Sequence, residues 1–327
     1  MMGPSPLLAR REALAALGSA VLLLAGPARA AGGQLEIVAT TAMIADIARE
    51  LAGGRAQVTA LMGEGVDPHL YRATRSDIAR MLKADLVFYN GLLLEGKMTD
   101  ALVRVARAGK PVFAVTELID ESYLMAPPAF AGAFDPHVWM DPAAWAKAVD
   151  VVRDSLAKVD PAGATGYAVN AAAYLARLEA LDAYAHDTLA TVPADRRVLV
   201  TAHDAFGYFG RSYGFEVMGI QGLSTESEAG LKRIEELVGL LVLRRIPAVF
   251  VETTIPEQSV RALIAGAAAR DHEVVIGGSL YSDAMGRPGT YEGSYVGMID
   301  HNVTSIARAL GGTTPPRGLN GQLAQAG

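Results

Sequence analysis

The chain has 327 residues, about half of them apolar, a net charge of −6 and no cysteine. That length supports a sizeable core and suggests roughly two domains. The lack of cysteine excludes disulfides, thiolate metal sites and a lipid-anchored N-terminal cysteine, and the negative balance argues against a nucleic-acid partner, which needs a basic face.

Residues 1–30 read as a signal peptide. Arg10 and Arg11 form a basic start, Ala13 to Gly26 is an apolar run too short to span a bilayer comfortably, and Ala28-Arg29-Ala30 is a small-x-small cleavage site. The paired arginines fit twin-arginine export only in part, so that route and ordinary secretion both stay open. Cleavage would remove three arginines and one glutamate, leaving the remainder two charges more negative. The expected product is an exported, soluble, unanchored protein.

Beyond residue 30, strand-like and helix-like segments alternate. Gln34 to Thr40 reads as a strand, Met43 to Leu51 as a helix and Ala56 to Met62 as a second strand, with Asp67-Pro68-His69 in the loop after it. Thr74-Arg75-Ser76-Asp77 resembles a capping box that starts a helix through Lys83. Asp85 to Tyr89 is a third strand, Met98 to Ala108 a helix and Pro111 to Val115 a fourth strand. Residues 120–136 are rich in proline and glycine and read as a loop. Asp141-Pro142 places an aspartate at an N-cap and a proline at the first helical position of a helix running to about Val159.

From Gly166 to Leu189 the pattern changes. Ala171, Ala172, Leu175, Leu178, Leu181, Ala185 and Leu189 make one apolar stripe at three- and four-residue spacing. A helix of that length is roughly 35 Å long and can act as a stiff strut between two α/β blocks. The alternation then resumes, with strands at 197–201, 216–220, 248–252 and 273–277 and helices near 205–213, 228–245, 257–270 and 295–310.

The expected fold is therefore α/β. Two lobes, each with a mainly parallel four-stranded sheet flanked by helices, are joined by one long rigid helix. The boundaries are 31–165 for the N-terminal lobe, 166–191 for the linking helix and 192–312 for the C-terminal lobe, with 313–327 a disordered tail.

In open parallel sheets, ligands bind beyond the carboxyl ends of the strands. His69 follows the second strand, His137 lies downstream of the fourth, His203 sits two residues past the fifth, and Asp283 comes in the loop after the last. Three imidazoles and a carboxylate suit Zn²⁺ and also accept Mn²⁺, with raw affinity favouring zinc. Each residue alone could be a surface or turn residue; their joint position at strand ends is what points to a metal. Of the remaining histidines, His186 and His272 fall in charged or exposed surroundings, and His301 reads as a structural hydrogen-bonding residue. Trp139 and Trp145 read as packing. Glu252 ends a strand and could either stand behind a metal ligand or form a buried ion pair.

At these residues the chain resembles a known family, the cluster A-I (cluster 9) periplasmic metal-binding receptors of ABC transporters, of TroA-like type. The resemblance is carried by Val66-Asp67-Pro68-His69-Leu70-Tyr71, Asp135-Pro136-His137-Val138-Trp139-Met140-Asp141 and Thr201-Ala202-His203-Asp204-Ala205-Phe206-Gly207-Tyr208-Phe209. Ile220-Gln221-Gly222, Ser279-Leu280-Tyr281-Ser282-Asp283-Ala284-Met285-Gly286 and Gly297-Met298 followed by His301-Asn302 extend it over about residues 34–312. It implies one metal ion held between two lobes by His69, His137, His203 and Asp283. The third position is histidine in TroA-like and zinc receptors and glutamate in many manganese receptors. The implied function is capture of a divalent metal, zinc ahead of manganese, by a non-enzymatic monomer that delivers it to an ABC permease, with a periplasmic metallochaperone as a possible further partner. The chain departs from many zinc receptors in having no histidine between Asp120 and Phe134, so an auxiliary metal site in that loop is not expected. The competing class is an exported zinc-dependent hydrolase. That chemistry needs an open coordination position and a general base, and the sequence carries no HExxH helix or nucleophile elbow.

Overall fold

The computed structural model describes residues 33–130 and 132–324. The expected signal peptide lies outside them. Among the described residues no helix is long and apolar enough to cross a membrane.

The first half follows the predicted alternation. Strands β1 (Leu35–Ala39), β2 (Ala56–Ala60), β3 (Leu86–Tyr89) and β4 (Val112–Ala114) form one parallel sheet in the order β2-β1-β3-β4. The chain crosses over through α1 (Ala42–Ala52), α2 (Arg75–Lys83) and α3 (Thr99–Arg107). At the start of α2, Thr74 and Asp77 form the reciprocal capping box that their spacing predicts. Helix α4 (Pro142–Val159) starts as expected, with Asp141 Oδ1 accepting from the N–H groups of Ala143 and Ala144 at 2.9 and 3.2 Å.

The long helix is α5 (Ala164–Ala190), 27 residues. Its buried face includes Ala171, Leu178, Leu181, Ala185 and Leu189 from the predicted stripe, but also Tyr167 and Tyr174, while Ala172 is exposed. The tyrosines are buried because their hydroxyls find partners. Tyr174 donates to Asp46 of α1 at 2.8 Å and Tyr167 to Asp160 at 2.6 Å.

The second half contains β5 (Val198–Thr201), α6 (Gly207–Tyr213), β6 (Glu216–Gly219), α7 (Leu231–Arg244), β7 (Ala248–Glu252), α8 (Gln258–Ala268), β8 (Val275–Leu280) and α9 (Tyr295–Ala309). Four strands are present as expected, but not as one four-stranded ladder. β5 pairs with β6 and β7 with β8, both parallel. β5 and β7 lie side by side without an assigned ladder.

Strand residues alternate between two environments. Ile37, Ala39, Leu86 and Phe88 of the first sheet, with Leu199, Ala248 and Phe250 of the second half, all enter one core that also takes the buried faces of α1, α4, α5 and α9. The opposite strand faces, Val38 and Val87 in one half and Val198, Val200, Val249 and Val251 in the other, pack in separate cores under the outer helices. The long helix is thus more than a strut between two blocks. It is embedded in a core common to both halves.

Residues 313–324, expected as part of a disordered tail, fold back on α9. The Leu319 N–H reaches both carboxylate oxygens of Asp300 at 3.0 Å, and Leu323 is buried.

Candidate metal centre

Each site residue sits on a turn with its own local support. After β2, Asp67 Oδ1 accepts the His69 N–H at 2.8 Å, an Asx turn. Asp135 Oδ1 does the same for the His137 N–H at 2.9 Å and also lies 2.7 Å from ring Nδ1 of His137. The repeated Asp-Pro-His therefore encodes the same turn twice. Two residues past β5, the His203 N–H donates to Oε1 of Glu252 at 2.8 Å, and its ring Nδ1 lies 2.5 Å from Oε2. Beyond β8, the side chain of Asn302 on α9 brackets Tyr281, accepting its N–H at 2.9 Å and donating to its carbonyl at 2.7 Å. This fixes the turn that carries Asp283.

The four predicted residues converge, with one donor atom from each lying within 4.8 Å of all the others. His69 Nε2 is 3.2 Å from His137 Nε2. Asp283 Oδ2 is 3.2 Å from His203 Nε2 and 3.6 Å from His69 Nε2, and Asp283 Oδ1 is 3.5 Å from His137 Nε2. Ligands about 2.0–2.1 Å from a tetrahedral ion stand roughly 3.3–3.4 Å apart, so these separations match a shared cation. Both oxygens of Asp283 and Nε2 of His203 are buried without a hydrogen-bond partner among the described residues. Unpaired buried polar atoms are costly, and four donors aimed at one point account for them. His137 and His203 are completely buried, and His69 is the most exposed of the four at 4 %.

Protonation follows from these surroundings. Burial pushes the His69 imidazole down to about 3, against the opposing pull of Asp283. Burial also opposes a charge on His203, but Glu252 and Asp283 outweigh it and hold that ring well above the ordinary histidine value. Asp283 is likewise raised by burial yet ends below the usual carboxylate range because the three imidazoles face it, His203 foremost. The two carboxylates thus favour a proton on His203 in the absence of a metal, and an incoming cation competes with it.

The donor set, its closure from both halves of the chain and its burial describe a site for holding an ion. The profile of the ZnuA family, "zinc-uptake complex component A periplasmic", matches residues 37–309. The chain belongs to this family. Among curated members, it is 47% identical over 283 residues to the manganese-binding lipoprotein MntA of Bacillus subtilis (strain 168), covering 86% of this chain and 92% of that one. It is also 47% identical over 281 residues to the zinc-binding protein TroA of Treponema pallidum (strain Nichols), covering 86% and 90%. The solved periplasmic zinc-binding protein TroA from Treponema pallidum superposes with a TM-score of 0.83 at 46% identity, covering 85% of this chain and 99% of that one.

Within this family fold, Glu252 stands directly behind His203 and forms a buried ion pair with its ring, so both of its sequence readings meet in one contact. The sequence motifs contain Asp67, Asp135 and Asn302 without giving them a role, although the twice-repeated Asp-Pro-His is a signal for the two aspartates. For Thr225, whose partner Asp67 is 158 residues away, the sequence carries no signal. His301 is the structural residue expected, its Nε2–H donating to the Ser279 carbonyl at 2.9 Å.

Proposed function

We propose that this chain is a periplasmic receptor that captures one divalent transition-metal ion with His69, His137, His203 and Asp283 and delivers it to the membrane permease of an ABC transporter. The observation that carries the reading is the meeting, at one buried point, of one donor atom each from His69 and His137 in the first half and His203 and Asp283 in the second, where Nε2 of His203 and both Asp283 oxygens have no hydrogen-bond partner among the described residues. Residues 31–165 and 192–312 are the two lobes and 166–191 the helix between them. Residues 1–30 are the export signal, and the mature protein acts as a monomer.

Zinc is the ion we assign. Four protein donors, three of them imidazole, suit its four-coordinate preference, and its affinity exceeds that of manganese on such ligands. Manganese is the second reading, because a relative described as manganese-binding matches as well as one described as zinc-binding. Asp135 and Glu252, bonded to the far side of two ligand rings, hold those imidazoles in the tautomer that leaves Nε2 free.

Elemental analysis of the mature protein, followed by zinc and manganese competition on the metal-free form, tests this. One ion per chain, zinc displacing manganese, and loss of binding in His203→Ala are expected. Metal-free protein that binds an organic solute tightly, and no metal, would overturn it.

A further inference from the structure

Trp139 is completely buried, and its sequence setting suggested packing alone. Its indole N–H, however, donates at 2.8 Å to the carbonyl of Ser282, 143 residues away and adjacent to Asp283. The same ring meets the His137 imidazole edge-on, with centroids 5.2 Å apart. The Trp139 carbonyl in turn accepts from the hydroxyl of Tyr295, at the start of α9, at 2.7 Å. The Tyr295 N–H reaches Asp46 at 3.3 Å, the carboxylate that also holds Tyr174 of the long helix.

One side chain thus touches a ligand of the first half and the turn carrying a ligand of the second, and its backbone is anchored to the helices of the common core. None of these bonds needs the ion. We infer that Trp139 is a positioning residue. Its indole N–H sets Asp283 at the correct distance from His137 before the metal arrives and delays separation of the two ligands during release. This rests on the metal-receptor reading above. The physical reason is preorganisation: a ligand already held in its binding position loses less freedom on coordination.

The neighbouring Trp145 provides the control. It is equally buried and packs against Trp139 at 6.4 Å, but its indole nitrogen has no partner among the described residues. W139F and W145F both trim an indole to a benzene ring, yet only W139F removes a bond to a ligand-bearing turn. Zinc affinity and release rate are measured on the metal-free mature protein by competition with a chromophoric chelator, and the ligand field by the visible absorption of the cobalt(II) form. W139F is expected to weaken zinc binding about 10- to 100-fold, mainly through faster release, and to change the cobalt spectrum. W145F is expected to stay within about twofold of wild type with the spectrum unchanged.

Hydrogen exchange of the Trp139 indole N–H in the wild-type protein is a second measurement that does not depend on either variant folding. It is expected to slow when zinc is added. Equal effects of the two substitutions on affinity, or indole exchange indifferent to zinc, would overturn the inference while leaving the receptor reading intact. Wild-type protein that binds neither zinc nor manganese would overturn both.

Discussion

Glu252 grips His203 at two points, taking the backbone N–H on one oxygen at 2.8 Å and the ring Nδ1 on the other at 2.5 Å. The carboxylate therefore sets the position of the residue, the rotation of its ring and the nitrogen that faces the ion. Replacing it with glutamine keeps the size but removes the charge and lets the amide present either a donor or an acceptor. Glu252→Gln is expected to weaken zinc binding about 10- to 100-fold, as read by chelator competition. Wild-type affinity in this variant would show that the carboxylate only fills space.

Binding should release a proton. His203 is held well above the ordinary histidine range in the metal-free site, so at neutral pH the ion displaces its proton. Below the raised value affinity should fall as pH drops, and above it the dependence should flatten. His69, pushed down to about 3, adds no proton between about pH 5.5 and 8. Calorimetry in buffers of different ionisation enthalpy reads the number released. Zero protons at neutral pH would contradict the assignment of charge to His203.

The outer side of the site is closed by a tie between the halves. Asp67, whose Oδ1 shapes the His69 turn, accepts the Thr225 hydroxyl on Oδ2 at 2.6 Å. A cavity of about 420 Å³ reaches His69 between Leu93, Gly96 and Thr99 on one wall and Ser224, Glu226 and Ser227 on the other. Thr225→Val should speed zinc release roughly tenfold, from loss of about 1.5 kcal/mol in a hydrogen bond to a carboxylate, with Thr225→Ser near wild type. Stopped-flow chelation measures it. The nearby Lys97–Glu226 pair, 3.0 Å apart but with both side chains partly exposed, is worth about 0–1 kcal/mol, so Lys97→Ala should change little.

Gly207, the first residue of α6, lies against the acid behind His137. A Cβ there would stand 2.8 Å from Oδ2 of Asp135, closer than non-bonded atoms tolerate. Gly207→Ala is expected to displace that carboxylate and lower zinc affinity about tenfold or more, while circular dichroism stays that of the folded protein. Unchanged affinity would mean that α6 moves instead of Asp135.

Because both halves share one core around α5, large hinge closure would expose packed apolar surface. Small-angle scattering of metal-free and zinc-loaded protein should differ in radius of gyration by less than about 1 Å. A rotation of tens of degrees between the halves would be incompatible with that core.

Local signals carried well from sequence to structure. Thr74 and Asp77, or Asp141 and Pro142, act within four residues of each other, so spacing and residue type suffice to place a helix start. Long-range partners were not legible. Tyr167 and Tyr174 continue the three- and four-residue stripe of α5, and they can be buried there because Asp160 and Asp46 receive their hydroxyls; a periodicity count does not see those acids. The proline- and glycine-rich tail reads as unstructured until Asp300 supplies an acceptor for Leu319. The second half shows four strand patterns, but hydropathy does not say which edges pair, and here they pair two and two.

The amino-acid sequence by itself determined the candidate donors: three imidazoles and a carboxylate in loops after strands, two of them in the same Asp-Pro-His turn, because turn geometry and strand alternation are local properties. Only the tertiary structure decided that His69 and Asp283, more than 200 residues apart, face each other at 3.6 Å. That meeting depends on strand order, on the core shared around α5 and on bonds such as Trp139 to Ser282 and Thr225 to Asp67. A chain of this length is brought to such contacts by packing, and the physical chemistry of any short segment does not contain them.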